Sequence, residues 1–250
     1  MKRIPFKSGV HPFEGKSFSE NEKIRKIEAA PEMVFPMSQH IGAPAVPTVK
    51  IGDRVLVGMK IGEAASFISS PIFSSVSGKV KMIEDRQTVT GSISKCIIVQ
   101  NDFENECAPG YGEIRDPNSI SNEEIVEIVK QCGIVGMGGA GFPTGVKLSP
   151  KNAEDIDYLV INGAECEPYL TSDYRLMTER AGNIITGISL ALRLFKKAKA
   201  VVAIEDNKPA AIKEFEAQCK GLEKISVMPL KTKYPQGGER RLIASVTGRK

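Results

Sequence analysis

The sequence has 250 residues, 41% of them hydrophobic and 26% charged, and its 34 basic and 30 acidic residues leave a net charge of +4. This balance is typical of a chain that buries a core and argues against disorder, and the length fits one large domain or two smaller ones. Basic residues are interspersed with acidic ones, which argues against a nucleic-acid-binding surface.

Residues 1–105 predict β structure. Residues 49–63 alternate apolar positions with a glycine every few residues, and a second turn-rich stretch follows at 71–80. Short strands between glycine turns favour a small sandwich or barrel. The pattern resembles the biotinyl/lipoyl-type barrel-sandwich hybrid, but the hairpin expected near 65–68 has no carrier lysine, and Lys60 falls in the preceding strand. A scaffold or docking module is favoured over a carrier.

The second half predicts alternating helices and strands. A linker with several prolines and glycines is expected over 106–120. Ser121 and Glu124 form a capping box that begins a helix over 123–132, and Gly133 ends it. Strands are then expected at 158–162, 200–204 and 225–230, and helices at 177–197, 208–220 and 239–246. Such alternation predicts a mostly parallel sheet with helices on both faces.

The fold class is therefore a multidomain β plus α/β protein. A barrel-sandwich-like domain is expected at 1–105, a linker at 106–120 and a Rossmann-like α/β domain at 121–250. The longest apolar stretches, such as 200–204, are too short to cross a bilayer, and the segment Met1–Phe6 lacks the apolar region of a signal peptide. The sequence thus predicts a cytoplasmic protein without a transmembrane segment of its own.

The most unusual segment of the sequence is the glycine-rich stretch at 133–147, which contains a G-x-G-x-x-G motif at Gly136, Gly138 and Gly141. Glycines at this density leave bare backbone that a phosphate or a planar ring can approach closely. The context differs from the usual dinucleotide fingerprint because a helix precedes the run, and the G-K-[ST] ending of a P-loop is absent. A ligand-binding loop and a simple interdomain turn both remain open.

Two further motifs follow. The string NGAECEPY at 162–169 comes after a predicted strand, and ligands bind at the carboxyl ends of strands in open α/β sheets. The string YPQGGERRL at 234–242 places Gly237 at the start of a helix, where anions bind readily. Each motif alone fits a polar turn equally well. With two histidines and no C-x-x-C pair among five cysteines, no catalytic residue and no metal ligand is predicted.

Taken in order, the three motifs resemble those of the flavin- and NADH-binding subunit of respiratory complex I. With the opening GVHPFEGK at 9–16 and the spelling GMGGAGFPT at 136–144, the sequence is most similar to the C subunits of Rnf complexes, which are membrane-bound ferredoxin:NAD⁺ oxidoreductases. The resemblance extends over essentially all 250 residues. A cobalamin-reductase-type flavoprotein and a non-catalytic docking module of the complex remain alternatives.

The resemblance implies site residues by position. Those expected to hold FMN are Gly136, Gly138, Lys147 and Asn162. Those expected to hold NAD(H) are Gly139, Ala140, Phe142, Glu167, Tyr234 and Glu239, with Lys147 touching both ligands and Gly237 added as the opening of the last helix. Three positions depart from the complex I pattern: Met137 replaces an Arg, Ala164 an Asp and Gly238 a Glu.

The implied function is that of an NAD-dependent oxidoreductase subunit of an ion-translocating complex. Hydride would pass between NAD(H) and FMN, and electrons would pass between FMN and iron–sulfur centres or ferredoxin. The expected partners are other subunits of a membrane complex, with the chain peripheral on the inner face of the cell membrane. The [4Fe–4S] clusters of the family have no ligands here, which leads us to expect a C-terminally truncated sequence, with a natural chain that lacks the electron exit as the alternative.

We expect no biotinyl or lipoyl group on residues 1–105, because the hairpin after Gly62 has no lysine to receive one. Intact mass spectrometry of the protein, purified from cells with active biotin and lipoate ligases, should give the unmodified mass. A mass increment of either group on this half would contradict the expectation.

Overall fold

The computed structural model describes residues 8–249, so the segment Met1–Phe6 considered above lies outside the described residues. Two compact units are present. The β unit is Ile27–Lys151, and the α/β unit combines the described parts of Met1–Lys26 and Asn152–Lys250. The domain boundaries expected from sequence, at 105 and 121, stay a prediction.

The β unit contains two antiparallel sheets. One has the strand order β1-β7-β6-β3 and the other β2-β4-β5. The seven strands are β1 (Glu32–Pro36), β2 (Val46–Pro47), β3 (Arg54–Val55), β4 (Lys60–Glu63), β5 (Ile72–Phe73), β6 (Gly78–Gln87) and β7 (Ile93–Asn101). Lys60 lies in β4, as expected, and not in the loop that joins β4 to β5.

The two sheets share one hydrophobic core. Phe35 of β1 and Ile97 of β7 pack in the same cluster as Ile61 of β4 and Ile72 of β5, and all four side chains are buried. Burial alternates at the start of β6, where Gly78 and Val80 are buried and Lys79 and Lys81 are exposed, which is the pattern of a half-buried antiparallel strand. The expectation of a small β sandwich in the first half is therefore confirmed in its general form.

Helix α1 (Asn122–Gln131) has the capping box that the sequence predicts. The Ser121 side chain accepts from the Glu124 amide, and the Glu124 carboxylate accepts from the Ser121 amide. At the other end, Gly133 has a left-handed φ of 64°, and the Ile134 amide donates to the Val129 carbonyl at 3.2 Å. This C-terminal arrangement is a Schellman motif, which favours glycine at the left-handed position.

The α/β unit has a three-stranded parallel sheet in the order β10-β9-β8. Its strands are β8 (Tyr158–Gly163), β9 (Lys199–Glu205) and β10 (Ile225–Leu230). The short helix α2 (Thr144–Lys147) belongs to the β unit, and the helices of the α/β unit are α3 (Ser172–Glu179), α4 (Ala181–Leu192), α5 (Pro209–Gln218) and α6 (Glu239–Thr247).

Helices cover both faces of this sheet, as the sequence predicts. Leu242 and Val246 of α6 pack with Val201 and Ala203 of β9 in one buried cluster. Helices α3, α4 and α5 contact the strands from the other side, and every β9 side chain after Lys199 is buried. Among residues 8–249, no helix is long and apolar enough to span a membrane.

The prediction of a single helix over 177–197 is wrong. Two helices, α3 and α4, meet at Arg180, whose φ of −136° and ψ of 25° are not helical. The apolar period continues across the break, with Met177, Ala181 and Ile185 all buried. Apolar residues four positions apart are therefore compatible with two consecutive helices as well as with one. This spacing does not reveal the non-helical residue between the two helices.

We expect Ser121→Ala to lower the stability of the β unit by about 1 kcal/mol, because the first turn of α1 loses its N-cap acceptor. Denaturant unfolding of the purified protein measures the change. Ser121→Thr is the matched control, since it keeps a hydroxyl acceptor and should retain most of the stability. Equal midpoints for Ser121→Ala and the unsubstituted protein would contradict this account of the helix start.

Candidate functional site

Polar residues gather at the carboxyl edge of the parallel sheet. Strand β8 ends at Gly163, β9 at Glu205 and β10 at Leu230, and each is followed by a loop at this edge. The NGAECEPY motif forms the first loop, and Tyr234 and Gly237 lie in the third. The sequence predicts the NGAECEPY motif at the end of a strand, and the structure confirms that placement. The third motif was predicted only as the start of a helix, so its position at this edge is a finding of the structure.

A buried lysine holds the first loop. The Lys16 Nζ donates to the backbone carbonyls of Glu165 at 2.8 Å, Glu167 at 3.1 Å and Leu170 at 2.7 Å. An ammonium group has three N–H donors, so each carbonyl takes one of them. Only 8% of Lys16 is exposed. The lysine therefore serves as a structural donor inside the unit and is not available to solvent.

A second buried lysine acts on the same loop. The Lys208 Nζ donates to the Ala164 carbonyl at 2.7 Å and to Asn207 Oδ1 at 3.0 Å, and it lies 3.5 Å from Glu205 Oε2. Burial lowers the pKa of Lys208 and raises the pKa of Glu205, while their mutual attraction opposes both shifts. The Glu205 carboxylate also accepts from the Lys233 amide, which ties the second loop to the third.

The acidic residues of the motif have different environments. Glu165 is buried, and its carboxylate accepts from the Asp173 and Tyr174 amides, so it caps the start of α3. Burial raises the pKa of Glu165. Glu167 is exposed at the surface of the loop. Of these two acids, Glu167 is therefore the one that can meet a ligand at this edge.

The first and third loops are joined directly. Asn162 Nδ2 donates to the Gly237 carbonyl at 2.9 Å, and the Gly237 amide donates to Cys166 Sγ at 3.3 Å. Tyr234 is hydrogen-bonded to the Glu167 side chain, and the negative charge of Glu167 raises the pKa of the Tyr234 hydroxyl. Four of the predicted site residues, Asn162, Glu167, Tyr234 and Gly237, are thus brought together, and Glu239 is the exposed first residue of α6.

The segment around Lys16 is fixed to this edge by further contacts. Val10 and Tyr234 exchange two backbone hydrogen bonds of 2.9 Å, and the Tyr169 amide donates to the Glu14 carbonyl at 2.7 Å. Gly15 has a φ of 60°, and a Cβ there would lie 2.4 Å from the Tyr169 ring. Glycine is therefore required at position 15 for the chain to pass close to this ring.

The other six predicted residues belong to the β unit, where they form the glycine loop at 136–142 and the helix that follows it. The Gly136 amide donates to the Phe142 carbonyl at 2.9 Å, and Val135 and Pro143 form an antiparallel bridge that closes the loop. The Ile41 amide donates to the Ala140 carbonyl at 3.1 Å. The base of the loop is therefore anchored within the β unit.

The tip of the loop is open. A Cβ placed at Gly138 or at Gly139 would meet no atom within 4 Å, whereas one at Gly141 would lie 3.0 Å from the Gln39 carbonyl oxygen. Gly141 is thus needed for packing, while Gly138 and Gly139 leave their backbone uncovered. Beside the loop, the exposed Lys147 Nζ lies 5.7 Å from the centre of the Phe142 ring, which is a cation–π distance.

Sequence reasoning missed the buried charges of the α/β unit. Glu205 and Lys208 lie at the end of β9, at the edge where the NGAECEPY motif was expected, so the topology rule for parallel sheets could have found them. Lys16 gave no comparable signal, because a lysine in an irregular segment is usually exposed to solvent. Its role appears only when residues 149 positions apart are in contact.

Two known domain families match successive parts of the chain. Residues 4–104 match the family described as the RnfC barrel sandwich hybrid domain. Residues 129–250 match the family described as the Nuo51 FMN-binding domain. The glycine loop, the NGAECEPY motif and the third loop all fall within the second match.

Three curated relatives align with nearly the whole chain. The C subunit of the proton-translocating ferredoxin:NAD⁺ oxidoreductase complex of Clostridium ljungdahlii is 42% identical over 98% of this chain and 53% of its own length. The C subunit of the Na⁺-translocating complex of Acetobacterium woodii is 41% identical over 100% of this chain and 56% of its own. The C subunit of the ion-translocating oxidoreductase complex of Vibrio cholerae is 39% identical over 97% of this chain and 31% of its own length.

The chain spans about half the length of the first two of these relatives. Over that length, its two matched families follow one another in the order that the sequence resemblance implies, and the second contains the glycine loop and the polar sheet edge. The chain belongs to the family of the C subunits of Rnf-type electron-transport complexes.

Proposed function

We propose that this chain is the NAD(H)- and FMN-binding part of a membrane-associated electron-transport complex. The observation that carries the proposal is the open backbone at Gly138 and Gly139, within a range that matches an FMN-binding domain. The polar edge of the α/β unit supports it, because ligands of parallel sheets bind at the carboxyl ends of the strands. The three-stranded sheet with consecutive strands side by side is compatible with a Rossmann-like domain.

Each of the four residues proposed for the flavin has chemistry that suits this ligand. Gly136 and Gly138 would leave room for a planar ring against the backbone, Lys147 would supply a cation, and Asn162 an amide. Bound FMN would supply exchange between two-electron and one-electron chemistry, which protein side chains alone do not provide. The chain itself would orient the ligand, exclude water from it and balance its charge.

The residues proposed for NAD(H) have complementary chemistry. An exposed carboxylate such as Glu167 accepts hydrogen bonds from ribose hydroxyls, and the Tyr234 hydroxyl and ring offer both a hydrogen bond and a stacking surface. Glu239 adds a second carboxylate at the start of α6. In the β unit, Gly139, Ala140 and Phe142 would contribute bare backbone and an aromatic ring.

The partners follow from the relatives. These proteins are named as subunits of proton- or Na⁺-translocating ferredoxin:NAD⁺ oxidoreductase complexes. We propose that this chain likewise exchanges hydride between NAD(H) and FMN, passes electrons to or from iron–sulfur centres and ferredoxin, and works with membrane subunits at the inner face of the cell membrane. The iron–sulfur clusters that the family resemblance implies are a property of the full-length subunits.

The direct test is titration of the full chain with FMN and, separately, with NADH. Flavin fluorescence should be quenched on binding, and calorimetry with NADH should give a saturable signal. ATP is the control for non-specific binding of a nucleotide phosphate. A well-folded protein that binds neither FMN nor NADH would contradict the proposal and favour a non-catalytic docking module.

We expect Glu167→Gln to weaken NADH binding by about tenfold, because hydrogen bonds accepted by a charged carboxylate are stronger than those accepted by an amide. FMN binding should change by less than about twofold. Glu223→Gln is the matched control, since Glu223 is exposed and precedes β10 at the opposite edge of the sheet.

The contact between Glu167 and Tyr234 has its own readout in the same variant. Removing the negative charge should lower the pKa of Tyr234 toward its ordinary value, which ultraviolet titration detects. Unchanged NADH affinity in Glu167→Gln, together with the expected shift of Tyr234, would remove Glu167 from the nucleotide site while leaving the structure correct.

We expect Gly138→Val to weaken FMN binding by about tenfold or more without lowering the melting temperature. The new side chain would project into the space where a ring would meet the backbone, and its Cβ would clash with nothing in the described protein. Gly187→Val, at another position with open space around it, should leave FMN affinity unchanged. Equal FMN affinities in the two variants would make the glycine loop purely structural.

A further inference from the structure

The loop that carries Glu167 takes its shape from two lysine side chains. The carbonyls of Ala164, Glu165, Glu167 and Leu170 accept from the ammonium groups of Lys16 and Lys208. A loop without regular backbone pairing has many accessible conformations, and each fixed carbonyl removes some of them. These four contacts span the whole loop from the end of β8 to the residues before α3.

The backbone carbonyl of Glu167 is held by a hydrogen bond, while its charged side chain is exposed. Its carbonyl is 3.1 Å from Lys16 Nζ, and its carboxylate reaches Tyr234. Glu165, two positions earlier, is clamped through its carbonyl by the same ammonium group, and its carboxylate is used to cap α3. The chain is therefore fixed both at Glu167 itself and just before it, while the Glu167 carboxylate stays accessible.

Neither lysine is placed to touch a ligand. All three N–H groups of Lys16 go to carbonyls, and Lys208, which is 2% exposed, is enclosed by Ala164, Asn207 and Glu205. Burial of an ammonium group is costly, and a chain tolerates it where the group is fully hydrogen-bonded. The two buried ammonium groups restrict the conformation of this loop more than the hydrogen bonds of an ordinary polar surface turn would.

We propose that Lys16 and Lys208 are positioning residues that hold Glu167 in the orientation needed for the dinucleotide. The inference rests on the proposed function, because it assigns Glu167 to that ligand. A carboxylate that is already held in its bound orientation loses less conformational freedom on binding. Lys16 and Lys208 would therefore raise the affinity for the dinucleotide without contacting it. Lys16 comes from residues outside the FMN-domain match, so the segment before the β unit sets the geometry of the nucleotide loop.

The test is a double-mutant cycle between Lys16→Met and Glu167→Gln, with NADH and FMN affinities and the melting temperature measured on each protein. Lys16→Met alone should weaken NADH binding about tenfold and leave FMN affinity within about twofold. In the Glu167→Gln background, Lys16→Met should cause little further loss of NADH affinity. Lys213→Met on the exposed side of α5 is the matched control and should change neither affinity.

A merely structural role gives a different pattern. Lys16→Met would then weaken NADH binding by the same factor with and without Glu167, or would not weaken it at all, and either result overturns the inference whatever the change in melting temperature. If Glu167→Gln alone leaves NADH affinity unchanged, the assignment of Glu167 in the proposed function fails first and the inference falls with it. Should Lys16→Met not fold, Lys208→Met enters the same cycle with the same expected non-additivity.

Discussion

The ammonium group of Lys16 is the contact on which the α/β unit depends most. It satisfies three carbonyls of one loop at once, at 2.7 to 3.1 Å, and the lysine itself is only 8% exposed. Without it these acceptors would lose their lysine donor, and each buried unpaired polar group costs about 1–3 kcal/mol. The capping of α3 by Glu165 and the exposure of Glu167 both follow from the loop shape that this group enforces.

Local patterns predict most of the fold. The capping box at Ser121 and the glycine at 133 are short-range signals, and both ends of α1 follow from them. The three parallel strands were recognisable because each is a short apolar run between helical periods. The break at Arg180 was not recognisable, since nothing in the sequence distinguishes one helix from two helices that share an apolar stripe.

The candidate site was predictable only in part. The NGAECEPY motif could be placed at the carboxyl edge of the sheet because it follows a predicted strand, whereas the third motif was predicted only as the start of a helix. That edge brings Asn162 near Gly237, but it does not predict which of their atoms pair. The roles of Lys16 and Lys208 depend on burial and on contacts between residues far apart in the sequence. Neither can be predicted from hydrophobic periodicity or from motif spacing.

The α/β unit is discontinuous in sequence, since the whole β unit lies between its two pieces. During synthesis, Lys16 leaves the ribosome long before the carbonyls that it will bind, because Lys16 and Glu165 are 149 positions apart. The α/β unit therefore has a high contact order and cannot close until its last strands are made, whereas the β unit is contiguous and can fold first. The order in which the chain emerges thus allows the β unit to fold before the loop at 164–170 acquires its shape.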